Sequence, residues 1–377
     1  MKKTLIIITA ITLLFTACNA DATSGLFRTI SEAREAISIK YEQILGKDTS
    51  GNLYFRTEKG IYSLEKDKSA PNAKLIVASK ENDIIQSAAL VDDNILYTTN
   101  NKTKASTVFV YNPSTASIAE LSPDSPYSLV RLAHNGQMLI EDKDTPNEYF
   151  LASYSSSPDK ITNNLVATVS GLTNYGLEDI FIPSDYKDST QSDKFIVSFA
   201  KTDGSSKNYY FNGTNFSEIN SAIKGIANVS IIAADVYVLT TNGTLYLLDS
   251  TPSNSPTKLI STGLEFDRND FFYPIVDSTT LHFITNPKNT DSMTVFTVDT
   301  SSSPISAGTS STTSIKSGYA AALKDTKIVS SLDLGSNKFL VATEKHGMYS
   351  VTVNPAHVNE DSGNNIVTMS KAEDYTF

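Results

Sequence analysis

Short runs of apolar residues, separated by polar turns, recur along the chain from Gly51 onward. In the first copy, an apolar run at 53–55 is followed by a turn at 58–60, a second run at 61–64 and a third at 74–77. Short runs bounded by turn residues are typical of β-strands, whose successive side chains point to opposite faces. The pattern therefore predicts a tight hairpin followed by a third, returning strand.

The same pattern recurs seven times at a nearly regular interval. We took one apolar residue of each copy as an anchor, and the intervals between anchors are 42, 43, 57, 41, 45 and 58 residues for Leu53, Ile95, Met138, Phe195, Val236, Leu281 and Phe339. Such a period, with four short strands in each copy, is typical of propeller blades. The sequence therefore predicts an all-β fold, a β-propeller with seven four-stranded blades, although six or eight blades remain compatible with it. A pair of β-sandwich domains is the alternative, and it would show no fixed period.

Three segments depart from the repeat. Residues 26–46 show apolar positions at helical spacing after Thr29 or Ser31 as a cap, so we predict a short helix there. The two long intervals contain insertions at 155–188 and 301–317, and the second, rich in Ser and Thr, is predicted to be a mobile loop. The ring could close through a strand near 41–45 that completes the last blade, or through the tail near 366–369 as its outer strand.

The N-terminus has the composition of an export signal. Lys2 and Lys3 precede an apolar run at 5–15, which as a helix would rise only about 17 Å and is too short to span a membrane. Small residues then lead to Cys18, the single cysteine of the chain, and this segment resembles the lipobox of bacterial lipoproteins. The resemblance implies cleavage before Cys18 and lipidation of its thiol. Asn19 is not the Asp that retains such proteins at the inner membrane, so we expect the outer membrane, with the leaflet left open.

These features predict three parts of the chain. Residues 1–17 are a lipoprotein signal peptide, 18–46 are a lipidated tether with the short helix, and 47–377 are a single β-propeller domain. The repeats resemble, in strand order and spacing, the pyrroloquinoline-quinone-like and tryptophan-aspartate repeat propellers. The chain contains no Trp, however, so the signature residues of both classes are missing and the resemblance concerns architecture.

Composition and motif content argue against several classes of function. The formal net charge of -10 argues against a nucleic-acid partner, because no basic surplus exists to displace phosphate counterions. A single cysteine excludes an intrachain disulfide, and none of the four histidines has the spacing of a metal pair. We found no nucleophile elbow and no phosphate loop. We therefore predict no cofactor, no metal and no catalytic residues.

Aromatic and charged residues accompany each other in several connections between blades. Such connections share one face of a propeller, and aromatic side chains beside arginine are typical of binding anchors. The candidate binding residues, which we expect on that face, are Tyr127, Arg131, Tyr175, Arg268, Asp270, Phe272, Tyr273 and Tyr319. For each residue alone, packing within the propeller is the alternative role.

The sequence thus predicts a lipid-anchored protein of the bacterial cell envelope that acts as a noncatalytic binding scaffold for an envelope protein or a surface glycan. Its membrane contact would be the N-terminal lipid. An envelope saccharide hydrolase or lyase, with carboxylates such as Asp270 and Glu178 at the channel mouth, is the alternative. A structural spacer without a specific ligand is a third hypothesis.

Overall fold

The computed structural model describes residues 40–371 apart from a set of gaps. The gaps are 69–71, 82, 102–103, 123–126, 133–135, 157–158, 184–192, 233, 278, 289–291, 302–304, 306–310, 317–326, 345–346 and 354–366. Cys18 and the rest of the predicted signal and tether up to residue 39 lie outside the described residues, as do Tyr319 and three of the histidines. No helix in the described part is long and apolar enough to span a bilayer.

The described residues form 28 strands. The first three blades contain β1 (Tyr41–Lys47), β2 (Leu53–Thr57), β3 (Gly60–Leu64), β4 (Lys74–Ala78), β5 (Ile84–Val91), β6 (Asn94–Asn101), β7 (Lys104–Asn112), β8 (Ser117–Leu121), β9 (Tyr127–Leu132), β10 (Gln137–Asp142), β11 (Tyr149–Ser156) and β12 (Asp159–Val169). The next two contain β13 (Gly176–Phe181), β14 (Phe195–Ala200), β15 (Ser206–Phe211), β16 (Phe216–Glu218), β17 (Ile226–Ile232), β18 (Asp235–Thr240), β19 (Thr244–Leu247) and β20 (Thr257–Ser261). The last two contain β21 (Phe272–Asp277), β22 (Thr280–Thr285), β23 (Ser292–Asp299), β24 (Ser311–Lys316), β25 (Ile328–Gly335), β26 (Lys338–Thr343), β27 (Gly347–Val353) and β28 (Val367–Lys371).

Every four consecutive strands form one antiparallel sheet, so that the described chain builds seven four-stranded blades. All seven anchors of the sequence repeat lie on the second strand of a blade. The predicted β-propeller with seven blades is therefore confirmed, and the alternative of two β-sandwich domains is wrong.

The hydrophobic core is divided among the interfaces between blades. Six clusters of buried side chains each join two blades that are neighbours in sequence, and a seventh joins the last blade to the first. A single four-stranded sheet leaves both faces in water, so each blade depends on its two neighbours for burial. The repeating apolar faces of the sequence therefore produce a closed ring.

The ring closes by packing of blade 7 against blade 1, without a strand shared between them. The tail supplies β28 as the outer strand of blade 7, which is the second of the two predicted possibilities. The interface buries Tyr41 and Ile44 of β1 against Leu340 and Met348 of blade 7. Across it the backbone N–H of Ile44 donates to Ser330 Oγ at 3.0 Å.

Two local predictions were wrong. Residues 41–46, predicted as the end of a helix, lie in β1, and the propeller thus begins six residues before the predicted boundary at 47. These residues form a strand and not a helix because pairing with β2 completes the first blade and buries Tyr41 and Ile44. The segment 301–317, predicted as a mobile loop, contains β24, which pairs with β23 as the outer strand of blade 6. Its threonines are β-branched and suit an edge strand.

Candidate functional site

The inner strands of the blades surround a central channel with a volume of about 480 Å³. Residues of β1, β5, β9, β13, β17 and β25 line it, together with Arg56 of β2 and Asn269 from the connection between blades 5 and 6. This volume lies within the range of pockets that bind small ligands or short segments of a partner. We call the end of the channel that carries the connections between blades the entry face.

The entry face holds three of the predicted binding residues. Tyr127 begins β9, Tyr175 immediately precedes β13, and Arg268 lies in the connection between β20 and β21. The Tyr175 ring is half-buried, and the ammonium of Lys201 lies 4.4 Å from its centroid. An aromatic face with a cation above it is held in place by electrostatic attraction to the ring. Tyr127 also packs against the cluster between blades 2 and 3, and Tyr175 packs against the cluster between blades 3 and 4.

Arg268 and Asn269 attach the connection between blades 5 and 6 to the channel wall of blade 4. Arg268 Nη2 lies 2.5 Å from Glu178 Oε1, and Asn269 Nδ2 donates to Asp179 Oδ2 at 3.0 Å. Asn269 has a left-handed backbone with φ 58°, which asparagine tolerates better than most residues. Burial raises the pKa of Asp179, and the Asn269 hydrogen bond opposes that rise. Both acids of this wall therefore have a polar partner from the same connection.

Asp270 is the next residue of that connection and is only 1% exposed. Its Oδ2 accepts a hydrogen bond from the backbone N–H of Asp267 at 2.5 Å, and Asn228 Nδ2 donates to its main-chain carbonyl. Its Oδ1 is buried without a hydrogen-bond partner. Burial raises the pKa of Asp270 to about 7, and the charge of Asp267 adds to the effect. A carboxyl buried in this way cannot contact a bound saccharide, so the geometry does not favour the hydrolase alternative, and Glu178 is already paired with Arg268.

Phe272 and Tyr273 are not on the entry face. Phe272 is fully buried between blades 5 and 6, where its ring stacks on Phe283 with centroids 4.8 Å apart. Tyr273 packs on Phe339 at 4.0 Å in the next interface, and its hydroxyl donates to Asp333 Oδ2 at 2.7 Å. Both residues belong to β21, whose alternating side chains are buried in the two interfaces of blade 6. The prediction of both as binding residues is therefore wrong, because they lie in strand β21 and not in the connection before it.

Arg131 lines the channel itself. It lies four residues along β9 from Tyr127, which at the rise of a strand places it roughly 13 Å deeper. Its Nη1 donates to the backbone carbonyl of Val130 at 3.2 Å. Burial lowers the pKa of Arg131. The structure thus separates this arginine from the aromatic residues with which it was predicted to act.

Sequence reasoning missed Arg56, Glu42 and Gln86, which also line the channel. Arg56 Nη1 lies 3.0 Å from Glu42 Oε2 and donates to the backbone carbonyls of Ile85 and Gln86 at 2.9 and 3.1 Å. The guanidinium therefore links blade 1 to blade 2. A charged residue inside the apolar run 53–57 was the available signal, because such a residue needs a buried partner or a cavity.

Comparison with known proteins supports the fold. No protein-family model matches the chain, and no curated protein matches it. Among solved structures, YCF48 bound to D1 peptide is similar with a TM-score of 0.50 and 9% identity, over 85% of this chain and 94% of that one. The WD40 propeller domain of Doa1 matches at 0.48 and 9%, over 86% and 96% of the two chains. The extracellular domain of a B. thetaiotaomicron one-component system matches at 0.47 and 10%, over 89% of this chain and 47% of that one. Identities this low concern architecture alone.

Proposed function

We propose that this protein is a noncatalytic binding scaffold that holds a segment of a partner protein at the entry face and in the central channel. The observation that carries the proposal is the channel of about 480 Å³ with arginine, glutamine and serine side chains in its wall. Polar groups in a concave site fix the orientation of a ligand, and Leu45, Leu90 and Leu132 add apolar residues to the same lining. The solved structure of YCF48, a propeller with this architecture, contains a bound peptide.

The fixed geometry of the channel favours binding over catalysis. Glu178, Asp179 and Glu42 each have a polar partner, and Asp270 is buried within the connection between blades 5 and 6. Such pairs rigidify the wall, and a rigid site loses little conformational entropy when it binds a ligand. A preformed wall of this kind is suited to an extended segment with its own side chains directed into the channel.

The second part of the proposal concerns location. We infer from the lipobox resemblance at Cys18 that the mature chain is lipid-anchored in a bacterial envelope, with the outer membrane as the expected site. Several acyl chains on one N-terminus anchor a protein stably. The net charge of -10 would keep the propeller away from anionic headgroups, which leaves the entry face accessible to a partner.

Site-specific photo-crosslinking in cells tests the binding proposal. A photoreactive phenylalanine derivative replaces Tyr175 at the entry face in one full-length variant and Thr214, exposed on the opposite face of the same blade, in another. We expect a discrete crosslinked protein adduct with the first variant and none with the second. Equal adducts from both positions, or none from either, would refute a partner at the entry face.

A further inference from the structure

Among the described residues, Arg131 lacks the acidic partner that Arg56 has in the channel wall. Arg56 is paired with Glu42, and Arg268 is paired with Glu178. Among the residues that the structure describes, Arg131 has no ion pair, and its one hydrogen-bond acceptor is the carbonyl of the preceding residue. Arg131 is nevertheless held on a rigid inner strand that pairs with β10.

Arg131 is half-buried, and no acidic side chain among the described residues pairs with its charge. Burial lowers the pKa of this guanidinium, and no carboxylate in the described part of the chain opposes the effect. A desolvated guanidinium presents several N–H donors in a planar fork that matches a carboxylate. A site of this kind binds an anion strongly because the charge has not been satisfied within the protein.

The neighbouring inner strand β5 contributes Gln86 to the lining of the same channel. The backbone N–H of Leu132 donates to Ser87 Oγ at 3.3 Å, which ties β9 to β5 next to Arg131 and Gln86. Gln86 also lines the channel, and its Oε1 is buried without a hydrogen-bond partner. An amide flip would place the N–H donors of Gln86 where this buried Oε1 lies.

We propose that Arg131, with Gln86 beside it, binds the carboxylate of the partner segment inside the channel. This inference rests on the proposed function and specifies the chemistry of the partner: an extended peptide that carries an Asp or Glu side chain, or its own C-terminal carboxylate, into the wall between blades 2 and 3. The net charge of -10 does not oppose it, because charges beyond about 8 Å are screened at physiological ionic strength.

Two libraries of random seven-residue peptides, displayed on particles, test this inference against the full mature chain in detergent. In one library the peptide ends in a free carboxylate, and in the other it continues into a neutral linker, so that only side chains carry carboxylates. Selected peptides are then synthesised, with and without replacement of the carboxylate by an amide. Their affinities are measured for the wild type, Arg131→Gln and Lys258→Gln. Lys258 is an exposed residue of β20, and its substitution changes the net charge by the same amount as that of Arg131.

We expect the wild type to select peptides whose affinity falls roughly 10- to 100-fold in Arg131→Gln and on amidation, and stays unchanged in Lys258→Gln. The library that is enriched identifies the source of the carboxylate. Selected peptides that bind Arg131→Gln and Lys258→Gln equally, or that bind without a carboxylate, would refute the carboxylate-binding role of Arg131. They would not refute the proposed scaffold function. Failure of both libraries to yield binders, with no crosslink at position 175, would overturn the proposed function as well.

Thermal unfolding separates a binding role of Arg131 from a structural one. Because no described acid pairs with it, Arg131→Gln should unfold within a few degrees of the wild type. A large fall in the unfolding temperature would assign the guanidinium to the stability of the blade and contradict the inference.

Discussion

The buried carboxyl of Asp270 makes the stability of the propeller dependent on pH near neutrality. Its pKa is about 7 in the folded protein, against 3.8 for the free side chain. Between these two values the unfolded chain has lost the proton while the folded chain keeps it, so the folded state binds more protons and its stability falls as the pH rises. From pH 5 to pH 8 this group alone should lower the free energy of unfolding by about 2.5 kcal/mol, at about 1.4 kcal/mol for each pKa unit.

Asp270→Asn removes the titration and keeps an oxygen that can accept the hydrogen bond from Asp267. The free energy of unfolding in urea is measured at pH 5 and pH 8 for both proteins. We expect its fall between the two pH values to be about 2.5 kcal/mol smaller in the variant than in the wild type. The comparison of two proteins cancels the titration of the histidines.

Asp249→Asn is the matched control for this experiment. Hydrogen bonds from Thr251 and Asn254 hold the pKa of Asp249 below its usual value, so the group stays ionised throughout the range. This substitution should change the stability equally at pH 5 and pH 8. If Asp270→Asn showed the same pH dependence as the wild type, the reasoning from burial would be refuted.

Three further predictions address the anchor, the core and the turns. Cys18→Ser should abolish incorporation of labelled fatty acid and move the protein from the detergent phase to the aqueous phase; unchanged partitioning would contradict the lipobox interpretation. Phe272→Ala should lower the free energy of unfolding by about 3–5 kcal/mol, as expected for a buried ring, whereas a residue of the entry face would cost far less. Gly243→Ala should destabilise more than Gly204→Ala, since both have positive φ but only at Gly243 would the new Cβ lie 2.4 Å from a backbone oxygen; equal midpoints in urea would argue against that contact.

The strands and their grouping into blades could be predicted from the sequence because both arise from local pattern. Each hairpin of second and third strands is a pair of apolar runs joined by a polar turn, and strand pairing within a blade involves neighbours in sequence. The anchors Leu53 to Phe339 therefore identified seven equivalent positions without any knowledge of tertiary contacts. Local pattern failed at Tyr41, where helical spacing and strand burial predict the same apolar positions.

The candidate site was predicted only in part, because the direction of a side chain depends on which blade packs beside it. Phe272 and Tyr273 follow a polar connection and look like Tyr127 in sequence, yet the neighbouring blades bury both of them. Arg131 and Arg56 have the same chemistry, but only Arg56 meets an acid among the described residues, since that acid comes from another strand.

The sequence by itself determined the all-β class and the repeat of four-stranded blades, since both depend on residues close together in the chain. Only the tertiary structure decided how the ring closes, which aromatic side chains are buried and which arginine is left without an acid. Those outcomes depend on contacts between blades, such as that of β1 with blade 7. The residues in such a contact are about 300 positions apart, and the local sequence pattern does not show that they meet. The physical reason is that burial and charge pairing are set by the assembled ring, whereas strand formation is set by the alternation of neighbouring side chains.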